Sequence, residues 1–261
     1  MMRVIILTST PYGTACRCLP ELLASDMIEV ICVVWAEGGV SSRAFKWYNF
    51  KLEKVLKIGL IGALNGIRIR PWFQGGPTEH IEALCNKFSI PLHRPGVLNS
   101  ERTVEIFKKA NADLGLSLGN GYISRRIFSI PRLGMINMHG ERLPQYQNAQ
   151  SVIWPIYNME RTTGLTIHQI DDKIDTGPIL YQEEYSIEFH ASLKETVTNT
   201  TRQTCNKAAH AVRHVCENYD ELSKKAKSQT NGKSYTTPSF WAFLTIGRNN
   251  RKLYESASQQ K

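Results

Sequence analysis

The sequence lacks the long apolar segment that a membrane-spanning helix needs. No run among its 261 residues approaches the ~20 consecutive apolar residues that cross a bilayer. The stretch Met1–Leu7 is too short to be the apolar region of a secretory signal, and it predicts a first β-strand. The six cysteines therefore predict reduced, buried core residues of a cytoplasmic protein rather than a disulfide framework.

Two phosphate-binding motifs are also absent. The first predicted strand is not followed by the Gly-x-Gly-x-x-Gly of dinucleotide-binding domains, and no P-loop occurs. Cys16 and Cys18 have no second Cys or His pair at zinc-ligand spacing, which argues against a structural metal. With 42% hydrophobic and 21% charged residues, the composition excludes a disordered, collagenous or coiled-coil chain.

The excess of positive charge is concentrated in two segments. The net charge is +9, yet residues 41–75 alone hold seven Lys or Arg and one Glu. Residues 222–261 hold eight Lys or Arg and one Glu, so the rest of the chain is slightly acidic. This distribution suits an anionic partner or substrate, and it equally suits a basic surface that is only solvated.

Short apolar runs alternate with amphipathic stretches through most of the chain. The opening β-α-β pattern predicts a parallel sheet with a right-handed crossover, and the pattern resumes after residue 76. A long helix is predicted from Ser192, where Ser192 and Glu195 form a capping box. We therefore expect an α/β fold: a doubly wound, mostly parallel sheet with helices on both faces. The predicted strands are 3–8, 28–35, 90–93, 113–118, 134–139, 163–170 and 178–187, and the other predicted helices are 15–25, 77–88 and 99–110.

Residues 1–190 are predicted to form the main domain, and 191–261 the long helix and a short C-terminal appendage. The basic stretch 41–75 interrupts the alternation and is predicted to be helical to Lys57 and looser around its glycines, Gly59, Gly62 and Gly66. It could pack on the protein's own sheet, form a lid, pair two copies, or contact an anionic membrane surface. In the second basic segment, 240–244 predicts a buried centre before a loose tail.

Polar residues able to catalyse acyl transfer surround the end of one predicted strand. Strand alternation directs Asn137 and His139 to the same face, at the carboxyl end where parallel sheets bind ligands. Asp175 lies in a polar loop between the two following strands. An amide and an imidazole can stabilise an oxyanion, and a carboxylate can orient the imidazole and assist proton removal. Taken alone, each of these residues would favour a structural role.

Four motifs in register favour the catalytic interpretation. These are Asn137-x-His139, Leu143-Pro144-x-Tyr146, Thr163-Gly164-x-Thr166-Ile167 and Asp175-Thr176-Gly177-Pro178. With Ser117–Ile123 upstream, they resemble the formyltetrahydrofolate-dependent formyltransferase family. The resemblance covers roughly residues 1–188 without the basic stretch, and it is most specific over 117–180.

The resemblance implies a Rossmann-like catalytic domain that binds 10-formyltetrahydrofolate and passes its formyl group to a primary amine, without a metal. It places the catalytic roles on Asn137, His139 and Asp175. The folate-binding residues that it implies are Leu118, Gly119, Asn120, Gly121, Tyr122, Ile123, Asp171 and Asp172. His168 is expected to pack or to form a hydrogen bond rather than to catalyse.

The sequence departs from the family beside the predicted catalytic strand. Gln147-Asn148-Ala149 stands where the family commonly has Arg-Gly-Ala, and Glu141-Arg142 stands where Ser-Leu is frequent. Glu141 and Arg142 are expected either to touch the acceptor or to lie in an exposed loop. These departures leave the acceptor open more than the chemistry.

The expected acceptor is a nucleotide-linked amino deoxysugar. The chain is short for the added nucleic-acid-binding domain that methionyl-tRNA formyltransferases would need, and Tyr235–Ser239 resembles the trailing segment of sugar formyltransferases. A methionyl-tRNA formyltransferase-like enzyme is the main alternative, followed by a glycinamide ribonucleotide enzyme, a formate-releasing hydrolase and a non-catalytic folate-binding module. Nucleic acid is not an expected partner, whereas peripheral membrane contact and a homodimer stay open.

Overall fold

The computed structural model describes residues 1–37 and 58–259, so the part of the basic stretch from 41 to 57 lies outside the described residues. The strands are β1 (Met2–Thr8), β2 (Ile28–Trp35), β3 (Leu92–His93), β4 (Leu114–Ser117), β5 (Met135–His139), β6 (Thr162–Gln169) and β7 (Ile179–Ser186). The helices are α1 (Thr14–Leu23), α2 (58–69), α3 (Ile81–Lys87), α4 (Glu101–Ala110), α5 (Arg125–Phe128), α6 (Ile153–Tyr157), α7 (Leu193–Glu217), α8 (Tyr219–Lys224) and α9 (Phe240–Ser258), with a 3₁₀ turn at Arg70–Phe73.

These strands form one sheet in the order β3-β2-β1-β4-β5-β6-β7. The pairs from β3 to β5 are parallel, and β5-β6 and β6-β7 are antiparallel. The strand order reverses at β1, which lies between β2 and β4, and this is where doubly wound sheets leave a crevice at their carboxyl ends. The predicted doubly wound, mostly parallel α/β sheet is confirmed.

Both faces of the sheet are covered, because the central strands are apolar on both sides. In β1, Ile6 belongs to the apolar cluster packed under α1 and α7, whereas its neighbour Ile5 belongs to the cluster under α4 and α5. Helix α7, which the sequence assigned to the C-terminal part, contributes Ala208 and Val212 to the same cluster as Ile6. The long helix is therefore packed into the core of the sheet.

Three local expectations were wrong. Ser192 occupies the N-cap of α7, but its side chain makes no capping hydrogen bond. Residues 58–69 are helical through Gly59, Gly62 and Gly66 rather than loose. The segment 240–244 is not a buried centre, because Trp241 is 74% exposed and α9 buries residues further along, Ile246, Asn250 and Leu253.

The cysteine prediction is confirmed in the described residues, where all six thiols are free and buried. Burial raises the pKa of the Cys16 thiol to about 11 and of the Cys32 thiol to about 12, so both are protonated at neutral pH. Among the residues that the structure describes, no helix combines the length and the apolar character needed to cross a membrane.

Replacing Ile6 by Ala is expected to lower the free energy of unfolding by about 2–5 kcal/mol, because it leaves a cavity in a fully buried central strand. Chemical denaturation measures the loss. The exposed Met27→Ala is the control and should change stability by less than about 0.5 kcal/mol. Equal losses in the two variants would contradict the position of β1 at the centre of the sheet.

Candidate active site

A cavity of about 340 Å³ opens at the carboxyl ends of β4 and β5. Its walls come from the loop after β4, the end of β5, the loop before α6 and the loop between β6 and β7. The lining residues are Ser117, Gly119–Ile123, Asn137–His139, Asn148–Gln150, His168, Ile170, Asp171 and Lys173–Asp175. The three predicted catalytic residues therefore share one cavity, although the first and the last are 38 positions apart in the sequence.

The carboxylate of Asp175 lies at the centre of the polar cluster. Its Oδ2 is 3.4 Å from Nδ1 of His139, and its Oδ1 is 3.4 Å from Nδ2 of Asn137 and 3.5 Å from Nε2 of His168. The backbone N–H of Asn148 donates to Oδ2 at 2.9 Å. The antiparallel register of β5 and β6 sets Asn137 opposite His168, which brings the second imidazole into the cluster. His168 is thus a hydrogen-bonding residue of the site, as expected.

Burial and neighbours act in opposite directions on these ionisable groups. Burial works to raise the pKa of Asp175, but His139, His168 and the Asn148 N–H favour the carboxylate and bring the pKa down to about 2. Burial lowers the pKa of His139, although Asp175 opposes that shift. At neutral pH the site therefore pairs an aspartate anion with a neutral imidazole.

The hydrogen bonds of His139 identify its tautomer. Its Nε2 lies 2.8 Å from the carbonyl oxygen of Tyr146, which can only accept, so Nε2 carries the hydrogen. In the neutral ring Nδ1 is then a bare lone pair that faces Oδ2 of Asp175. Nδ1 of His139 and Oδ2 of Asp175 are both acceptors, so a proton can bind between them.

A relay of hydrogen bonds orients the amide of Asn137. The Ser9 hydroxyl donates to Oδ1 of Asn120 at 2.9 Å, and Nδ2 of Asn120 donates to the Ser117 hydroxyl at 3.1 Å. The Ser117 hydroxyl donates to Oδ1 of Asn137 at 2.9 Å, which turns Nδ2 of Asn137 toward His168 and Asp175. Ser9 was not found from the sequence, because a lone serine after β1 carries no spacing signal.

Ser117 stands in a Gly-Leu-Ser-Leu-Gly sequence, which has the spelling of a nucleophile elbow. An elbow serine lies on a sharp strand-to-helix turn with an exposed hydroxyl. Ser117 instead ends β4 at 1% exposure, and its hydroxyl is held by Asn120 and Asn137. It therefore orients the amide and is not arranged as a nucleophile.

The loop that carries Asn148 is braced by the segment 227–236, called here the C-terminal strap. The backbone of Gln147 exchanges hydrogen bonds with Lys233 and Tyr235, and Nδ2 of Asn148 donates to the Tyr235 carbonyl at 2.9 Å. Gln229 reaches the loop between β6 and β7 by donating a hydrogen bond to the carbonyl of Gly177 at 2.7 Å. The strap thus links the two loops that place Asp175.

The backbone around Asp175 tolerates little change. Asp175 adopts a left-handed conformation with φ of 54°, a region that aspartate enters more readily than most residues. A Cβ on Gly177 would fall on the carbonyl oxygen of Gln169, so only glycine fits there. This accounts for the Asp-Thr-Gly-Pro motif in physical terms.

The predicted folate-binding residues divide into two groups. Gly119–Ile123 and Asp171 line the cavity, with the carboxylate of Asp171 accepting hydrogen bonds within its own loop. The side chain of Leu118 is buried in the core, and Asp172 pairs with Arg125 at 3.0 Å with more than half of its side chain exposed. The cavity wall also includes Lys173 and Ile174, which the sequence did not single out.

Glu141 and Arg142 do not form an exposed loop. Glu141 is fully buried and accepts hydrogen bonds from the Val152 N–H at 2.5 Å and the Thr163 hydroxyl at 2.7 Å. Burial raises its pKa to about 7. Arg142 pairs with Glu160 and with Glu184, the latter at 2.6 Å. The pair therefore ties β5 to the loop before α6 and to the edge of the sheet.

Comparisons with known proteins match this chain to formyl transferases. Residues 88–213 match the family described as formyl transferase. A methionyl-tRNA formyltransferase of Thermodesulfovibrio yellowstonii is 34% identical over 111 residues, which are 42% of this chain. That match covers 36% of the relative, so the chain spans about a third of its length.

Solved structures share the fold over most of the chain at low identity. An N-formyltransferase from Helicobacter canadensis, in complex with folinic acid and dTDP-3-aminofucose, has a TM-score of 0.55 at 15% identity and covers 97% of this chain and 81% of its own. A phosphoribosylglycinamide formyltransferase from Anaplasma phagocytophilum has a TM-score of 0.58 at 13% identity, over 92% of this chain and 100% of its own.

Replacing Glu141 by Gln is expected to change how stability depends on pH. A carboxyl group whose pKa rises on folding, here to about 7, stabilises the fold below its unfolded pKa and loses that contribution as the pH rises through 7. Relative to the wild type, Glu141→Gln should therefore gain up to about 3 kcal/mol between pH 4.5 and pH 7. Denaturant unfolding across this range measures the difference.

Glu184→Gln is the matched control, because hydrogen bonding by Arg142 lowers the pKa of Glu184. Its stability relative to the wild type should stay nearly constant over the same range, because a carboxyl pKa lowered from 4.5 changes the stability mainly below pH 4.5. Parallel curves for wild type and Glu141→Gln would contradict the burial of an unneutralised carboxyl group at this position.

Proposed function

We propose that the chain transfers a formyl group from 10-formyltetrahydrofolate to the primary amine of an acceptor, because residues 88–213 match the formyl transferase family. The observation that carries this proposal is the convergence of Asn137, His139 and Asp175 in one cavity at the carboxyl ends of β4 and β5. An amide donor, a neutral imidazole and an anion are the groups that acyl transfer to an amine requires.

The cavity suits a flat, partly polar co-substrate. Ile123, Ile170 and Ile174 supply apolar walls, and the glycines of 119–121 leave backbone groups open to hydrogen bonding. When bound, 10-formyltetrahydrofolate supplies an activated formyl group. We propose that Gly119–Ile123 and Asp171 form its binding site, with Leu118 acting through its backbone and Asp172 from the rim.

In this proposal Asn137 stabilises the formyl oxygen as negative charge develops on it. Its Nδ2 faces into the cavity because Ser117 holds Oδ1 from behind. The contacts of Nδ2 with His168 and Asp175, at 3.2 and 3.4 Å, are long enough for the donor to turn to a stronger acceptor. A fixed donor of this kind is worth about 10²–10³ in rate.

His139 and Asp175 take up the proton that the amine must lose. The amine nitrogen bonds to the formyl carbon, the bond from that carbon to the folate nitrogen breaks, and the folate nitrogen gains a proton. The lone pair on Nδ1 of His139, facing the carboxylate, is the acceptor for the amine's proton, since Asp175 stabilises the imidazolium that forms. The same imidazolium can then return a proton to the leaving nitrogen.

For the acceptor we propose a nucleotide-linked amino deoxysugar. The support is the shared fold, over 97% of this chain, with an N-formyltransferase whose complex contains dTDP-3-aminofucose. The strap also suits a small acceptor, because it adds Tyr235 beside Tyr146 and Trp154, ring centroids 5.3 and 4.7 Å apart, near the catalytic loop. Tyr146 is buried, and the half-buried rings of Trp154 and Tyr235 can stack on a nucleobase.

A second candidate acceptor is methionyl-tRNA. It is favoured by the 34% identity to a methionyl-tRNA formyltransferase over 111 residues. The two basic segments would then contact phosphates.

Replacing His139 by Ala, or Asp175 by Asn, is expected to lower turnover by about two to four orders of magnitude, the scale of lost acid–base and charge stabilisation. The release of tetrahydrofolate in the presence of an amine acceptor measures turnover. Binding of folinic acid, measured by calorimetry, should be preserved, because the proposed folate site lies mainly on other residues.

His210→Ala is the control, since this imidazole is largely exposed on α7 away from the catalytic cluster. It should retain wild-type turnover. Near wild-type turnover in His139→Ala or Asp175→Asn would show that the proposed proton transfer is wrong.

The two acceptors are expected to differ in salt dependence. Formylation of a nucleotide-linked 3-amino or 4-amino deoxysugar should decline only mildly from 50 to 200 mM salt, because few phosphates are neutralised. Formylation of methionyl-tRNA would fall by about 10³ or more over that range if six or more phosphates are contacted. Steady-state kinetics with both acceptors decide between them, and efficient tRNA formylation would overturn the sugar proposal while leaving the formyl-transfer chemistry intact.

A further inference from the structure

Helix α2 packs with its small residues inward. A Cβ on Gly62 would lie 3.3 Å from Cα of Ser239, and one on Gly66 would lie 2.8 Å from Cγ2 of Thr237. These glycines let the helix approach the segment before α9 closely. Ile69 completes the inner face and is fully buried.

Four of the six large aliphatic side chains of α2 point the other way, whereas Ile58 and Ile69 are buried. Leu60, Ile61, Leu64 and Ile67 are between 59% and 71% exposed. At 100° per residue they fall within about one third of the helix circumference, so they form one continuous stripe. An amphipathic helix normally buries its large residues, and α2 leaves most of them on its outer face. Exposed apolar stripes of this kind mark interaction surfaces.

The charge next to this stripe has one sign. Arg68 and Arg70 are exposed at the end of α2, and the sequence holds no Asp or Glu between Glu53 and Glu79. Aliphatic residues with flanking arginines are side chains that bind the interface of an anionic membrane.

Other occupants fit the charge less well. Pairing of two copies through this face would bring the arginines of both α2 helices together without a carboxylate to compensate them. Residues 41–57 of the chain hold five Lys or Arg and one Glu, so they too repel rather than complement the face. Nucleic acid would satisfy the arginines but not four exposed aliphatic side chains.

We propose that the exposed face of α2, with Arg68 and Arg70 at its end, is a docking surface for an anionic phospholipid membrane. The protein would lie on the membrane surface with the apolar stripe at the level of the headgroups. The proposal is independent of the formyl-transfer proposal, because none of these residues lines the catalytic cavity.

Flotation with vesicles tests the proposal directly. The full chain should float with vesicles of phosphatidylcholine and 30% phosphatidylglycerol at low salt, and not with vesicles of phosphatidylcholine alone. Leu64→Gln combined with Ile67→Gln should reduce the bound fraction about tenfold or more. Arg70→Gln should weaken binding about fivefold, and less at high salt.

The matched control replaces two exposed apolar residues elsewhere, Met27→Gln with Met159→Gln, which are 55% and 45% exposed. This control should bind vesicles like the wild type. Formyl transfer to a water-soluble acceptor should be unchanged in every variant, which keeps this test separate from the catalytic one. No binding to anionic vesicles at low salt, or equal loss in the control, would overturn the proposal.

A cysteine probe separates the remaining occupants. Because the six native thiols are buried, Leu64→Cys introduces a thiol that a maleimide can label selectively, and Met27→Cys is the exposed reference. Leu64→Cys should react as fast as Met27→Cys in the free protein and slow down at least tenfold with anionic vesicles. Slow labelling without vesicles would overturn the proposal: in a monomer it would mean cover by the chain itself, and in a dimer cover by a second copy.

Discussion

The buried carboxylate of Asp175 is the constraint on which the rest of the site depends. An anion in the interior is stable only if hydrogen-bond donors reach it, and here the fold supplies the Asn148 N–H and Nδ2 of Asn137. The register of β5 against β6 brings Asn137 and His168 together, the turn after β5 brings the Asn148 N–H, and His139 supplies the imidazole that faces the carboxylate. A one-residue slip of β6 would move His168 to the opposite face and leave the carboxylate short of a partner.

The sequence was sufficient for the sheet and for the three central residues, because both depend on patterns that side chains encode. Apolar runs of strand length predict the sheet, and period-two alternation puts Asn137 and His139 on one face. The rest of the site depends on groups without a sequence signature. The N–H of Asn148 is backbone, the orientation of the Asn137 amide is set by Ser117, and the burial of Glu141 contradicts the usual preference of charged residues for the surface. The inverted helix α2 escaped prediction for a related reason, since glycine normally signals looseness and here provides close packing.

The residues that depart from the family sequence are held in place by hydrogen bonds to neighbouring segments. Glu141 holds the start of α6 through the Val152 N–H, while Gln147 and Asn148 join the strap through backbone and side-chain hydrogen bonds. The strap in turn donates from Gln229 to the loop after Asp175. These residues therefore shape the loop beside the carboxylate of Asp175, and the C-terminal part of the chain takes part in building the cavity.

The relay that ends at Asn137 has a consequence for how the site responds to charge. Every link from Ser9 through Asn120 and Ser117 donates in the same direction, toward the carboxylate of Asp175. Its dipoles are thus aligned before any substrate arrives, and each polarises the next. Negative charge that develops beside the amide therefore meets hydrogen bonds that already point toward it, and these hydrogen bonds extend back to Ser9 in the loop after β1. The amide of Asn137 is therefore oriented by hydrogen bonds that extend across the sheet from β1 to β5.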